Sequence, residues 1–379
     1  ACDRVKQILQ REMSKTMSKT PLQFTHVAHP SPLPAEKRAE LLKNPGFGRV
    51  FSDHMVTIRY SESQGWHDAR VEPRAPIPMD PAAAVLHYAQ EVFEGLKAYR
   101  TAGGGATLFR PRENARRFRD SAERLAMPAL PEEVFLEAVD QLVSIDREWI
   151  PDGDGSLYIR PFMFANEIFL GVKPSSDYLF IVIASSVGAY FKTSAPAVSV
   201  WVSPDYTRAA PGGTGAAKCG GNYAASLVPT AEAFAQGHDQ VLFLDAAEHK
   251  WVEELGGMNL FFVFDDGRVI TPPLTGTILP GITRNSLMTL LGEQGLNVSE
   301  APYSIDQWRE DAASGKLIEV MACGTAAVVT AVGKVAGPDG EFTIGSGGPG
   351  QLTGKLKARL TAIQRGEEAD HHGWVHRIG

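Results

Sequence analysis

The sequence predicts an α/β protein with mixed α+β sheets, folded as two domains. In the first half, strand-like apolar runs alternate with stretches of helical period, whereas the second half is a succession of short β-branched and aromatic runs. Between them "VGAYFKTSAPA", at 187–197, breaks both patterns with small residues, Lys192 and Pro196. At 379 residues, 44% hydrophobic and 21% charged, the chain is long enough for two separate cores, and disordered and collagen-like classes are excluded. The expected organisation is a leader over 1–20, a first domain over 21–186, an interdomain loop over 187–197 and a second domain over 198–379.

In order along the chain, "RVFSDHMVTIRY" (49–60) reads as strand. Asp80 and Pro81 then cap "AAAVLHYAQ" as a helix, and "GLKAYR" returns to strand. Helices follow over 111–125, with Ala115, Phe118, Ala122 and Leu125 on one face, and over 131–149, with Phe135, Ala138, Leu142 and Ile145. "SLYIRPFMFANE" and "YLFIVIAS" are strands. In the second half "AVSVWVS", "QVLFLD", "NLFFVF", "RVIT" and "LIEVMA" are strands, with an Asp-Asp-Gly turn at 265–267. Helices are expected near 222–236, 283–294, 306–314 and the C-terminus. Pro229 should kink the first of these or displace its start. "GSGGPG" (345–350) reads as a flexible loop.

Lys+Arg 37 against Asp+Glu 44 gives a net charge of −7, which disfavours nucleic acid and anionic lipid as partners and favours a small molecule. The most apolar stretch, "YLFIVIASSVGAYF", is shorter than the roughly 20 residues a membrane helix needs. Three cysteines, Cys2, Cys219 and Cys323, show no C-x-x-C spacing, so neither a disulfide framework nor a zinc ribbon is expected and a cytoplasmic location fits. The first twenty residues lack the apolar run of a secretory signal and read as a loose, dispensable leader, with organelle import, suggested by their basic, amphipathic start, as the alternative.

The stretch that points to chemistry is "GGTGAAKCGGNYAASL", 212–227, which sets Lys218 among glycines and alanines. It is not a P-loop, because Ala217 and Cys219 replace the required neighbours of the lysine. Nor is it a dinucleotide fingerprint, since Lys218 stands where the third glycine belongs. No G-x-S-x-G elbow occurs. His372 and His376 have the spacing of one helix face but no glutamate between them, so no metal site is expected. What remains is lysine as a nucleophile, effective once deprotonated in a shielded site, with small neighbours leaving clearance for a flat cofactor. Pyridoxal 5′-phosphate asks for such a lysine, a carboxylate at its ring nitrogen, a hydrogen bond at its phenolic oxygen and a phosphate cradle. A plain surface lysine in a glycine-rich loop is the competing reading.

Together "GGTGAAKCGGNYAASL", "EELGGMNLFF", "LPGITRNSL", "ACGTAAVV", "VFEGLKAYR" and "SLYIRPF" resemble the branched-chain aminotransferases, pyridoxal-phosphate enzymes of fold type IV. The motifs run in family order from about residue 47 onward. The resemblance implies a D-amino-acid-aminotransferase-like fold, a smaller N-terminal α/β domain and a larger C-terminal pseudo-barrel that binds the cofactor. It implies a homodimer with residues of both chains in each site. It also assigns roles. Lys218 is the covalent tether and the base that moves the substrate's α-proton, Tyr223 faces the phenolic oxygen, and Glu254 is the partner of the ring nitrogen. Glu253, its neighbour on the strand, should point to the surface. Ile282 and Thr283, at a helix start suited to anions, bind the phosphate with Thr325 and Arg117. Arg117 is otherwise indistinct among the arginines of 110–124.

For the substrate, Tyr158 and Arg160 alternate with Leu157 and Ile159, so the first pair shares a face. By resemblance this pair meets the side-chain carboxylate of glutamate. Phe93 and Tyr88 surround the apolar side chain, Tyr190 belongs to the interdomain loop, and Ala326 lies in the turn that binds the α-carboxylate. In isolation Phe93, Tyr88 and Tyr190 read as core aromatics. Gly257 departs from the threonine of mammalian members, and Ala327 and Thr330 stand where those carry a redox-sensitive cysteine pair, so thiol regulation is not expected. Cys219 and Cys323 read as packing. The expected activity is reversible transfer of the amino group of leucine, isoleucine or valine to 2-oxoglutarate. The alternatives are a D-amino-acid transaminase or aminodeoxychorismate lyase of the same fold, and, from another class, a non-catalytic anion-binding module.

Overall fold

The computed structural model describes residues 22–188 and 197–379. The leader and most of the interdomain loop, Tyr190 included, lie outside the described residues. Contacts divide the chain into two compact units, Ala1–Gly188 with His376–Gly379, and Ala189–Val375.

The first unit holds β1 (Phe24–His26), β2 (Val50–Phe51), β3 (His54–Ser61), β4 (Gly65–Pro73), β5 (Glu91–Phe93), β6 (Leu96–Arg100), β7 (Ala106–Phe109), β8 (Ser156–Ala165) and β9 (Asp177–Val187). They form one sheet in the order β1, β4, β3, β9, β8, β6, β7, with β2 on β9 and β5 on β8. The helices Pro111–Arg124 and Glu132–Ile145 cover it with their apolar faces. Phe118, Phe135 and Phe180 of β9 meet there, with ring centroids 5.4 to 6.1 Å apart. The second helix stops four residues short of expectation, with Asp146 as its C-cap; the His54 N–H donates to Asp146 Oδ2 at 2.9 Å and His54 Nδ1 meets Oδ1 at 2.6 Å. A short 3₁₀ turn, Arg147–Trp149, follows.

One boundary differs from the expectation that 198–379 is a single domain. The C-terminal strand Val375–Ile378 is the edge strand beside β7 in the first sheet. A terminal strand joins whichever open edge can satisfy its backbone groups, and no residue in it names that edge. His376 bonds Asp140 at 2.8 Å in the first unit, while His372 pairs with Glu293 at 2.8 Å in the second, so the two histidines serve different carboxylates rather than one helix face.

The second unit holds β10 (Ala197–Val202), β11 (Gln240–Leu244), β12 (Val252–Leu255), β13 (Asn259–Phe264), β14 (Arg268–Thr271), β15 (Asn297–Glu300), β16 (Leu317–Gly324), β17 (Val328–Gly337) and β18 (Gly340–Thr343). Their order is β12, β11, β10, β17, β16, β13, β14, β15, with β18 on β17. Parallel pairs (β10 with β11 and β17) stand beside antiparallel ones, a mixed sheet. The helix expected near 222–236 is two, Gly220–Ala225 and Leu227–Ala235, broken at Ser226. Pro229 falls in the first turn of the second, where its missing N–H costs nothing. "GSGGPG" is not the flexible loop expected. The Gly347 N–H donates to Ile344 O at 2.8 Å, and at Gly350 an added Cβ would fall 1.8 Å from Cδ of Glu319. Glu319 needs that space to accept from the N–H groups of Leu352 and Thr353 at the start of the helix Gln351–Arg365.

Among the described residues no helix is long and apolar enough to cross a membrane, and no group of three or more His, Cys, Asp or Glu could hold a metal ion.

The buried His54–Asp146 contact makes stability pH-dependent. The hydrogen bond to Asp146, with its charge and that of Asp53, raises the imidazole above its ordinary range against the opposing effect of burial. A raised folded-state value means the contribution is complete below about pH 6.5 and is lost as pH rises through the folded value. Thermal melts should therefore show His54→Gln losing most stability at pH 6 and less at pH 9; an equal loss at both would contradict the assignment.

Candidate active site

The second unit gathers the lysine, the tyrosine and the carboxylate. Lys218 directly precedes the helix Gly220–Ala225, whose N-cap is Cys219. One helical turn on, Tyr223 returns to it: Lys218 Nζ donates to Tyr223 OH at 2.6 Å and lies 5.0 Å from the ring centroid. Asn222 fastens the loop behind them, its Nδ2 donating to Thr214 O at 2.8 Å and Ala217 O at 2.9 Å, and its Oδ1 accepting from Thr214 Oγ1 at 2.6 Å.

The loop's glycines have a local cause as well. An added Cβ at Gly215 would lie 2.4 to 2.6 Å from backbone atoms of Thr277, and one at Gly213 would lie 2.9 Å from Ala210 O. Backbone-on-backbone packing, rather than cofactor clearance alone, excludes side chains here. Gly221 by contrast has nothing within 4 Å.

Glu254 lies on β12, just before a two-residue hairpin turn. Leu255 and Met258 exchange backbone hydrogen bonds at 3.0 and 2.9 Å, with Gly256 at φ +56°. That turn sets Glu254 beside Asn259. Oε1 accepts from Asn259 Nδ2 and from the Leu279 N–H, each at 3.1 Å, and Oε2 contacts Arg208 Nε. Burial pushes the Glu254 carboxyl up to about 7, against the pull of Arg208, the Leu279 N–H and Lys218. Glu253 does point the other way along the strand, but not to the surface. It is buried, with Thr277 Oγ1 donating to it at 2.5 Å, and burial raises its carboxyl too. β12 is buried on both faces, which strand alternation cannot reveal.

Ile282 and Thr283 open the helix Ile282–Glu293, and its N-cap, Gly281, offers no side chain to the first N–H groups. A Cβ at Gly281 would fall 2.0 Å from Asn259 Oδ1, so Asn259 touches both Glu254 and the helix start. Thr325 and Ala326 form the turn between β16 and β17, which closes with Val328 at φ +61°, a strained conformation for a β-branched residue. Gly324 packs near Met258, and Gly257 lies 3.5 Å, at its Cβ position, from the Tyr223 ring. These contacts tie the turn and the hairpin to the lysine loop. Cys219 and Cys323 are buried and free, and burial drives the Cys323 thiol upward.

The first unit carries the remaining candidates. Arg117, on Pro111–Arg124, makes a bidentate pair with the fully buried Glu94, Nε to Oε1 at 2.7 Å and Nη2 to Oε2 at 2.9 Å. Asn114 Nδ2 and the Gly95 N–H also donate to Glu94, at 2.7 and 3.0 Å. Tyr158 and Arg160 share a face of β8, with Arg160 Nη2 3.4 Å from Tyr158 OH. The Arg160 guanidinium stands 4.7 Å from the Phe93 ring centroid, while Leu157 and Ile159 are buried on the other face. Tyr88 turns elsewhere, its OH donating to Leu170 O at 2.6 Å.

Sequence reasoning missed Arg208, Asn222, Asn259 and Glu94. Of these Asn222, Asn259 and Glu94 lie inside the motifs quoted above, where nothing in the residue type marks them as anchors of a neighbouring group.

Residues 91–335 match the family model for amino-transferase class IV, so the chain belongs to the class IV aminotransferases. Within that class it is 54% identical over 367 residues to a branched-chain-amino-acid aminotransferase of Mycolicibacterium smegmatis, covering 96% of this chain and 100% of that one. Two solved branched-chain amino acid aminotransferases share the fold. The enzyme from Escherichia coli, 30% identical, gives a TM-score of 0.69, the match covering 86% of this chain and 99% of that one. The enzyme from Thermobaculum terrenum in its PLP-form, 25% identical, gives 0.68, covering 86% and 98%.

The loop packing is testable by thermal unfolding. Gly215→Ala should cost about 1–3 kcal/mol through overpacking against Thr277. Gly221→Ala, in an open helical position, should be neutral or stabilising by up to about 1 kcal/mol. Equal effects would contradict the packing described.

Proposed function

We propose that the chain is a branched-chain-amino-acid aminotransferase, transferring the amino group of L-leucine, L-isoleucine or L-valine to 2-oxoglutarate with pyridoxal 5′-phosphate as cofactor. The observation that carries this is a lysine hydrogen-bonded to a tyrosine, in one unit with a sealed carboxylate, in a chain alignable nearly end to end with a relative of that name.

The donor set fits the cofactor. Glu254 Oε2 is buried and accepts no hydrogen bond from the described residues despite its contact with Arg208, so it can accept one from a protonated ring nitrogen. Ile282 and Thr283 N–H groups and Thr325 suit a phosphate; Arg117 enters by the resemblance alone, and in the first unit it is paired with Glu94. When bound, the cofactor supplies an electron sink at the substrate's α-carbon. The protein supplies the rest. Lys218 is the tether and then the base that holds the α-proton at Nζ. Tyr223 OH orients Nζ, and Glu254 faces the ring nitrogen. The backbone at Ala326 takes the α-carboxylate. By the resemblance, Tyr158 and Arg160 recognise the glutamate carboxylate and Phe93 meets the apolar side chain; Tyr88, held by Leu170 O, serves the site of a second copy, and Tyr190, outside the described residues, is the remaining aromatic.

A homodimer is part of the proposal. Leu86, Ile168, Leu170 and Val172 are exposed in the first unit near Tyr88, a concentration of apolar surface suited to a second copy. Buried free thiols at Cys219 and Cys323 suit the reducing cytoplasm, where we place the enzyme.

Single half-reactions of the cofactor-loaded protein with L- and D-leucine, valine, glutamate and alanine test the reading. L-leucine, L-valine and L-glutamate should convert the cofactor and abolish its visible band, and Lys218→Ala should lack both the native band and turnover. Conversion by D-alanine alone would instead select a D-amino-acid transaminase.

A further inference from the structure

A carboxylate sealed from water reverts to its neutral form unless a charge or several donors hold it ionised. Glu254 is 1% exposed, and the charged groups that act on it are few: Arg208 and Lys218 favour its ionised form, and Glu253 opposes it. Lys218 cannot hold it charged throughout the proposed cycle, since that lysine must give up its own charge to act as tether and base. Arg208 has no such part in the cycle.

Its surroundings also fix its position. Arg208 is itself 6% exposed. Nε meets Glu254 Oε2, while Nη1 donates to Thr277 O at 2.7 Å and Gly215 O at 3.2 Å. One edge of the guanidinium therefore reaches the carboxylate. Another reaches the loop that carries Lys218 and the segment that leads to the helix start at Ile282. Neither carbonyl can move without moving the fork. Lysine in its place has one point charge and no fork.

We propose that Arg208 is the positioning residue of this site, favouring the charged form of the Glu254 carboxylate and holding it in register with the Lys218 loop through Gly215 and Thr277. The inference rests on the function proposed above.

It is tested on the full-length protein by titrating pyridoxal 5′-phosphate into the cofactor-free form and following the bound cofactor's absorbance against pH. Arg208→Met and Glu254→Gln should each weaken cofactor binding roughly 10- to 100-fold, the worth of one charged hydrogen bond. They should also move the midpoint of the spectral transition in the same direction. In a Glu254→Gln background, Arg208→Met should move the midpoint no further, because no charge remains to be held. Arg208→Lys, which restores the charge, should bring the midpoint back toward wild type while leaving affinity reduced. An unchanged midpoint in Arg208→Met, or shifts that add in the double variant, overturns the proposal. If Arg208→Met does not fold, Arg208→Lys and Arg208→Gln decide the question, and identical midpoints in those two overturn it. A wild-type protein that binds no cofactor refutes the proposed function instead, so the two failures are distinct.

Discussion

The second unit is organised around a carboxylate placed where water cannot reach it. Glu254 is held from three separate places: Asn259 across the hairpin and the Leu279 N–H before the helix at Ile282 donate to it, and Arg208 ahead of the lysine loop pairs with it as an ion. Each of these segments is thereby fixed relative to the others. The two-glycine turn after Leu255 is the local device that makes it possible, because a longer loop would carry Asn259 out of reach. Sealing the group is costly for the fold and useful for chemistry, since a charge in a dry site acts far more strongly than one in water.

The lysine loop answers to the same constraint. Gly215 is pressed on the Thr277 backbone, and both carbonyls accept from Arg208, so the loop's bareness is a packing requirement before it is a catalytic one. Asn222 then holds Lys218 and Tyr223 on the next turn of helix. In the first unit the logic repeats with the signs exchanged: a buried glutamate, Glu94, holds an arginine, Arg117, in a bidentate grip supported by Asn114. In both units a residue proposed for the cofactor is paired with a buried opposite charge.

Much of this was legible in sequence where a single segment carries its own signal. The helix at Pro111 announces itself by its first-turn proline and its period and the helix Ile305–Ser314 by the capping box of Ser304 and Gln307, as the strands of Val, Ile and Phe do by composition. What was not legible depends on partners far along the chain. β4, "GWHDARVEP", is too polar to read as strand until β3 lies beside it, and the C-terminal strand had no signal naming its edge. Glu253 was expected outside because alternation assumes one wet face, and β12 has none. Arg208 and Glu94 were invisible for the same reason: a buried ion pair is a property of two segments, and neither sequence contains the other. The four cofactor needs could be matched to motifs, but the groups that hold those motifs in place could not.

The role given to Lys218 is open to one direct measurement. Borohydride reduction of the cofactor-loaded protein, followed by proteolysis and peptide mass spectrometry, should find the phosphopyridoxyl mass on Lys218 alone. Finding that mass on another lysine, or on none, would contradict the assignment of Lys218 as the tether.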